Sequence, residues 1–352
     1  MRRPARWLPI VLVATIVACA PSPAPGAPGA SAAPAQPVAS SAPERPATDS
    51  SVSPTPLPRR QVKVAYPSAS LAQMDFMYAE DTGMYARYGV DVESVLLVPT
   101  PAVAAMINDE LQYIYAASTL LMMAAKGLPI RSFLQSFRGP TLEMYARPEI
   151  ADFPDLRGKT IVMLTPAGLT REVTRLVLEN HGVDPREVQW LASGADAASM
   201  ELLRQGVAQA TVISPPWPIA ARQEGYRRLS RIGQEVPYPF GLFATTTARL
   251  AAEPAEVKAL IRGTLETQRA MREDPASVIA WIARRFDVDQ AVAAESYELL
   301  VPLLNESGEV PRDAVATFFR VQEDQPELRD TRYEDVVDTQ PLQAVWQEMG
   351  RR

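Results

Sequence analysis

Two successive runs of alternating strand-like and helix-like segments constrain this chain more than any other feature. From Gln61 the stretch QVKVAY alternates as a strand does. A helical pattern follows over 71–85, with Leu71, Met74, Met77 and Tyr78 at helical spacing. A strand over 90–97, a helix over 101–108 and a buried strand over 113–116 come next. Ser118 opens a further helix that stops at Gly127, and strands over 131–135 and 142–146 complete the run. That order predicts a mostly parallel sheet flanked by helices.

The second run occupies 160–232. It reads as a strand at 160–164, a helix with the stripe Leu169, Val173, Leu176 and Val177, a strand at 188–191, a helix at 195–204, a strand at 210–213, a helix at 218–224 and a strand at 229–232. Residues 240–245 read as a strand returning to the first sheet. Helices are then expected over 256–272, 275–286, 289–300, 311–322 and 341–348. The fold class is α/β: two α/β lobes joined by a two-crossing hinge, with a helical C-terminal part. The expected division is 60–149 plus 237–352 for one lobe and 150–236 for the other. The cleft between hinged lobes is the natural ligand site.

The scarcest residues exclude the most. Among 352 residues there is one cysteine, Cys19, and one histidine, His181. A disulfide within the chain, a Cys/His zinc site, a Ser-His-Asp triad and a Cys-His pair each need residues that are missing or misplaced. No metal and no cofactor is expected. The net charge of −6 advertises no nucleic-acid footprint.

The beginning of the chain reads as an address. Arg2, Arg3 and Arg6 precede the uncharged, mostly apolar run WLPIVLVATIVA, which is too short to span a bilayer of ~30 Å as a helix. A basic start plus a short apolar run is the pattern of an export signal, here 1–18. It ends in Ile16-Val17-Ala18-Cys19, similar to the lipobox at which bacterial lipoproteins are cleaved and lipidated on the cysteine. The alternative is a free cysteine within an ordinary signal or anchor. Of the 38 residues from 21 to 58, eleven are Pro, nine Ala and seven Ser. Such a stretch offers almost nothing to bury and favours extended backbone, so 19–59 reads as a lipidated cysteine and a tether.

Four stretches of the body carry a resemblance. They are YAEDTGMYARYGVDVE at 78–93, AAKGLPI at 124–130, DLRGKTIV at 155–162, and a fourth spread from Leu178 through Gly182-Val183-Asp184-Pro185 and Val188 to 203–210 and Pro215-Pro216-Trp217. Their order and spacing resemble the periplasmic binding protein family that includes the nitrate, aliphatic sulfonate and taurine binding components of ABC importers and its pyrimidine-precursor relatives. The resemblance covers about 62–250. It departs from the family pattern at Asn108 to Gln112, at Gln209, and in lacking any cysteine in the body. It implies a type II periplasmic-binding-protein fold, a small-molecule ligand, permease subunits of an ABC importer as partners, no nucleic acid, and a monomer held by lipid on the outer side of a bacterial membrane.

In two-lobed binders the ligand touches strand ends and helix N-termini facing the cleft, where unpaired N–H groups suit an anion. Ser68 and Ser70 sit on one such edge, and Ser118 and Thr119 on another; each either contacts ligand or caps its own helix. Thr165, Gly168 and Thr170 form the matching edge of the second unit, a polar cradle or a plain capped loop. The glycine pattern there is not that of a phosphate loop. Trp217 is a candidate stacking wall or a core residue between prolines. Met74 and Met77 divide between core and cleft, and Tyr238 and Phe240 lie on the hinge side. His181 reads as a helix-terminal residue.

Three functions compete. The first is a non-enzymatic solute-binding lipoprotein that captures a sulfonate, nitrate, carboxylate or pyrimidine-like ligand for an ABC importer. The second is a ligand sensor that feeds a receptor. The third is a pyrimidine-precursor-type enzyme, which the missing cysteines and the single misplaced histidine disfavour.

Overall fold

A computed structural model describes residues 59–165, 167–322 and 325–350. The expected export segment, Cys19 and all but the last residue of the expected tether lie outside the described residues. The described residues form one compact unit.

Ten strands and thirteen α-helices follow one another in it. The first half runs β1 (Arg60–Tyr66), α1 (Met74–Asp81), β2 (Val90–Leu96), α2 (Pro99–Ile107), β3 (Tyr113–Ala116), α3 (Thr119–Ala125), β4 (Ile130–Phe137) and β5 (Glu143–Ala146). It continues β6 (Thr160–Met163), α4 (Leu169–Asn180), β7 (Gln189–Ala192), α5 (Asp196–Arg204), β8 (Ala210–Ile213), α6 (Trp217–Gln223), β9 (Arg227–Arg231), α7 (Ile232–Glu235) and β10 (Phe240–Thr246). The remainder is helical: α8 (Thr247–Ala252), α9 (Pro254–Glu273), α10 (Pro275–Phe286), α11 (Gln290–Leu300), α12 (Arg312–Arg320) and α13 (Gln340–Glu348).

The strands form two five-stranded sheets of one design. The first has the order β2-β1-β3-β10-β4 and the second β7-β6-β8-β5-β9. In the first, β1 is parallel to β2 and β3, while β10 runs antiparallel between β3 and β4. In the second, β6 is parallel to β7 and β8, and β5 runs antiparallel between β8 and β9. Strands covered on both faces read as unbroken apolar runs. Accordingly every residue of β3 and β8 is buried, whereas the edge strand β2 is half-exposed.

The returning strand predicted near 240–245 is β10, seated inside the first sheet. Two expectations need correction. Strand β5 was assigned to the first lobe, yet it pairs with β8 and β9, so the chain leaves the first sheet at 138–142 rather than at 149–150. The helix expected over 71–85 is broken. A 3-10 turn (Leu71–Gln73) leads into α1, which stops at Thr82, and a second 3-10 turn (Tyr85–Tyr88) follows Gly83. Gly83 has φ of +65°, a conformation that ends a right-handed helix.

Beneath the first sheet, α9 packs against α1 and α13, and its partners include Tyr66, Phe76, Tyr115 and Phe243 in one aromatic core. The second lobe buries Val173, Val177 and Leu178 of α4 against Ile161 and Val212.

Candidate functional site

Parallel pairing puts the carboxyl ends of β1, β2 and β3 on one edge of the first sheet, and those of β6, β7 and β8 on one edge of the second. Six helices, α1 to α6, begin at those edges. The edges are brought together by α4, the helix after β6. Its Leu169 packs against the first lobe's core. Its Glu172 accepts a hydrogen bond from the Tyr238 phenol. Its Arg175 donates from Nη2 to the carbonyl of Val321, 3.1 Å away. At a second contact Arg222 of α6 pairs with Glu295 of α11.

The hinge is built from backbone. Segments 138–142 and 232–239 cross between the sheets, and the Ile232 N–H donates to the Leu142 carbonyl at 3.0 Å. At the crossing Gly139 and Gly233 face one another. A Cβ on Gly233 would lie 2.3 Å from the Pro140 carbonyl oxygen, and one on Gly139 would lie 2.8 Å from that of Gly233. Glu143, at the start of β5, is buried beside the crossing. It accepts from Arg231 Nε at 3.1 Å and from the Tyr145 hydroxyl at 2.9 Å. Burial, reinforced by the Glu143 charge, pushes that phenol up to about 12.

The structure distributes the sequence-predicted residues unevenly. Ser68 and Ser70 follow β1, and neither caps a helix: their hydroxyls donate to Gln73 Oε1 at 3.1 and 2.7 Å. Ser118 precedes α3 without capping it, is buried, and bonds toward the Tyr238 phenol. Thr119 is exposed beside it. Thr165 is exposed and donates to the Ala167 carbonyl at 2.8 Å. Gly168, with φ of +80°, opens α4 and is exposed. Thr170, the second residue of α4, is buried.

Met74 is completely buried in the first lobe's core and does not reach the cleft surface; the apolar stripe it shares with Met77 is a core stripe. Trp217 is half-buried and packs on Tyr145, Met200, Leu203 and Ile213, so it belongs mainly to the second lobe's interior. Tyr238 is fully buried and ties the crossing to both lobes. Burial together with the Glu172 carboxylate holds its ionisation far above the ordinary phenol value. His181 ends α4, stacks on Phe153 at 3.8 Å and lies 2.9 Å from Glu235. Glu143, Glu172 and Gly233 escaped sequence reasoning. A charged residue that faces inward carries no local mark.

A depression of about 800 Å³ lies elsewhere, on the outside of α4. Its walls satisfy one another: Arg171 stacks 4.5 Å over the Trp190 ring, and Arg186 pairs with Asp184. Among the described residues no group of three or more His, Cys, Asp or Glu is arranged to hold a metal, and no helix is long and apolar enough to cross a membrane.

The family model described as NMT1/THI5 like matches residues 72–278. A comparison with curated protein sequences gives no match. Solved structures are similar throughout the body. A Bordetella bronchiseptica protein is 19% identical, with TM-score 0.64 over 84% of this chain and 99% of its own. The alkanesulfonate-binding protein SsuA of Xanthomonas axonopodis pv. citri, bound to MOPS, is 16% identical, with TM-score 0.60 over 79% and 96%. The periplasmic nitrate-binding protein NrtA of Synechocystis PCC 6803 is 13% identical, with TM-score 0.59 over 83% and 89%. The fold is the type II periplasmic-binding-protein fold.

Proposed function

The chain belongs to the NMT1/THI5-like family, and from that premise we propose that it is an extracytoplasmic solute-binding protein that captures a small molecule between its lobes and presents it to the permease of an ABC importer. The observation that carries this reading is the hinged cleft. Two lobes meet through two backbone crossings, and α4, which begins at the helix-bearing edge of the second sheet, touches the first lobe through Leu169 and Glu172. Binding between hinged lobes selects the closed form, which a membrane partner can recognise. No bond needs to be made or broken in that cycle.

Ser68, Ser70, Thr119, Thr165 and Gly168 are proposed to border the ligand, with Ser118 and Thr170 behind them. Lipidation of Cys19 and the proline-rich segment after it would hold the body near the outer face of a membrane. The similar proteins described as binding alkanesulfonate or nitrate support the solute-binding role without fixing this chain's solute.

The test is thermal melting of the full chain against sulfonates, nitrate, carboxylates, pyrimidines, amino acids and neutral aromatics. A ligand at about one hundred times its dissociation constant adds roughly 2.7 kcal/mol of apparent stability. A clear rise with one class is expected. A cooperative melt that no class moves would argue against capture of such solutes.

A further inference from the structure

We propose that the interlobe cleft takes an uncharged organic molecule with an apolar body, an inference that rests on the solute-binding reading above. The helix N-termini at the cleft edges are poorly suited to an anion. Three of the six already hold a carboxylate in the first turn: Asp75 in α1, Glu172 in α4 and Asp196 in α5. Two others, α2 and α6, carry proline at their first positions, Pro99 and Pro218 among them, and so lack N–H donors there. At α2 and α6 an anion would meet missing donors, and at α4 the Glu172 carboxylate, which already accepts from Tyr238.

The loops that leave the strands supply no compensating cation. The segments PSAS at 67–70, LVP at 97–99, AST at 117–119, LTPAGL at 164–169, SGA at 193–195 and SPPW at 214–217 contain no charged residue, although 22% of the chain is charged. The carboxylate nearest to them on the second lobe, Asp196, is held by the Ser214 hydroxyl and N–H, and burial raises its protonation. Burying an unpaired anion there would cost far more than burying an apolar group.

The same edges display apolar side chains to solvent. The described residues include five large exposed hydrophobics, and three are at the carboxyl ends of strands on these edges: Leu96 (61% exposed), the last residue of β2, Val98 (56%) just beyond it, and Leu164 (36%) just after β6. They belong to opposite lobes, on strands away from the hinge strands, so the helix-bearing edge of each sheet carries exposed apolar surface. Exposed hydroxyls at Ser68, Thr119 and Thr165 offer neutral hydrogen bonds beside them.

The test uses two fluorescent probes of one skeleton on the full chain. These are neutral N-phenyl-1-naphthylamine and its anionic counterpart 8-anilinonaphthalene-1-sulfonate. The neutral probe is expected to bind at least tenfold more tightly. The double variant Leu96→Gln, Leu164→Gln, changed only at exposed positions and verified by its melt, should lose at least fivefold of that affinity. If the sulfonate binds as well or better and the double variant weakens it, the uncharged class is overturned while binding in the cleft stands. If neither probe responds to the double variant, this apolar surface is not the binding surface and the inference falls; the melting panel then judges the solute-binding reading independently.

Discussion

Asp75 shows how much a single residue can hide. It stands in the first turn of α1 and is completely buried, between Met74 and Phe76 of the aromatic core. Its Oδ1 accepts from the Tyr115 hydroxyl at 2.9 Å, while Oδ2, the Ser136 hydroxyl and Gln268 Oε1 have no hydrogen-bond partner. Burial raises the carboxyl above its ordinary value, opposed by the hydrogen bond from Tyr115. The Tyr115 and Tyr85 phenols around it are themselves raised by burial and stay neutral. Because the folded state holds the proton more tightly than the unfolded chain, this site's stability is complete below the ordinary carboxylate value of 3.8 and is lost as pH rises toward the raised one. Asp75→Asn should remove that dependence. Urea titrations from pH 4 to 8 should show the variant gaining on the natural protein as pH rises; parallel curves would refute it. Nothing near Asp75 in the sequence marks it as buried. A polar residue beside an apolar stripe reads as solvated, and β3, β4 and α9, farther along the chain, make the site.

Elements were far more legible than residues. Strands β3 and β8 were readable to the residue because burial on both faces leaves an unbroken apolar run; so was α10, whose amphipathic pattern opens at Pro275, while α9, read over 256–272, begins two residues earlier at Pro254. The failures have local causes. Gly83 ends α1 early, and α8 is a single short helix whose Thr246 cap, accepting from the Arg249 N–H at 3.1 Å, looks like the end of a strand. Sheet membership was the harder matter: β5 has no sequence feature that says which sheet it joins. At the hinge the prediction is steric. Gly233→Ala puts a methyl against the backbone of Pro140, which no rotamer can relieve, and should destabilise the fold by about 1–3 kcal/mol. Gly139→Ala, with a looser contact, should cost less. Denaturation midpoints of the two variants check the order, and equal midpoints would show that the crossing yields.

The lobes touch through a few identifiable contacts, so their balance should be adjustable. Arg222 and Glu295 are 45% and 35% exposed, which limits their pairing to about 1 kcal/mol or less, up to roughly a fivefold shift between open and closed forms. Glu295→Ala should enlarge the radius of gyration seen by small-angle scattering and weaken ligand capture by at most that factor. An unchanged radius would mean that the contacts made by α4, through Leu169, Glu172 and Arg175, hold the lobes.

The place of β10 has a consequence for biosynthesis. The second sheet is drawn from one unbroken stretch, 143–231, whereas the first needs 240–246 inserted between strands made more than a hundred residues earlier. A chain emerging N-terminus first therefore holds β3 and β4 side by side with the slot between them unfilled, two open edges ready to pair with the wrong neighbour. The lobe translated later can finish first, and the lobe translated earlier must wait. A ribosome that stalls just short of Phe240 would release one finished half joined to one that cannot close.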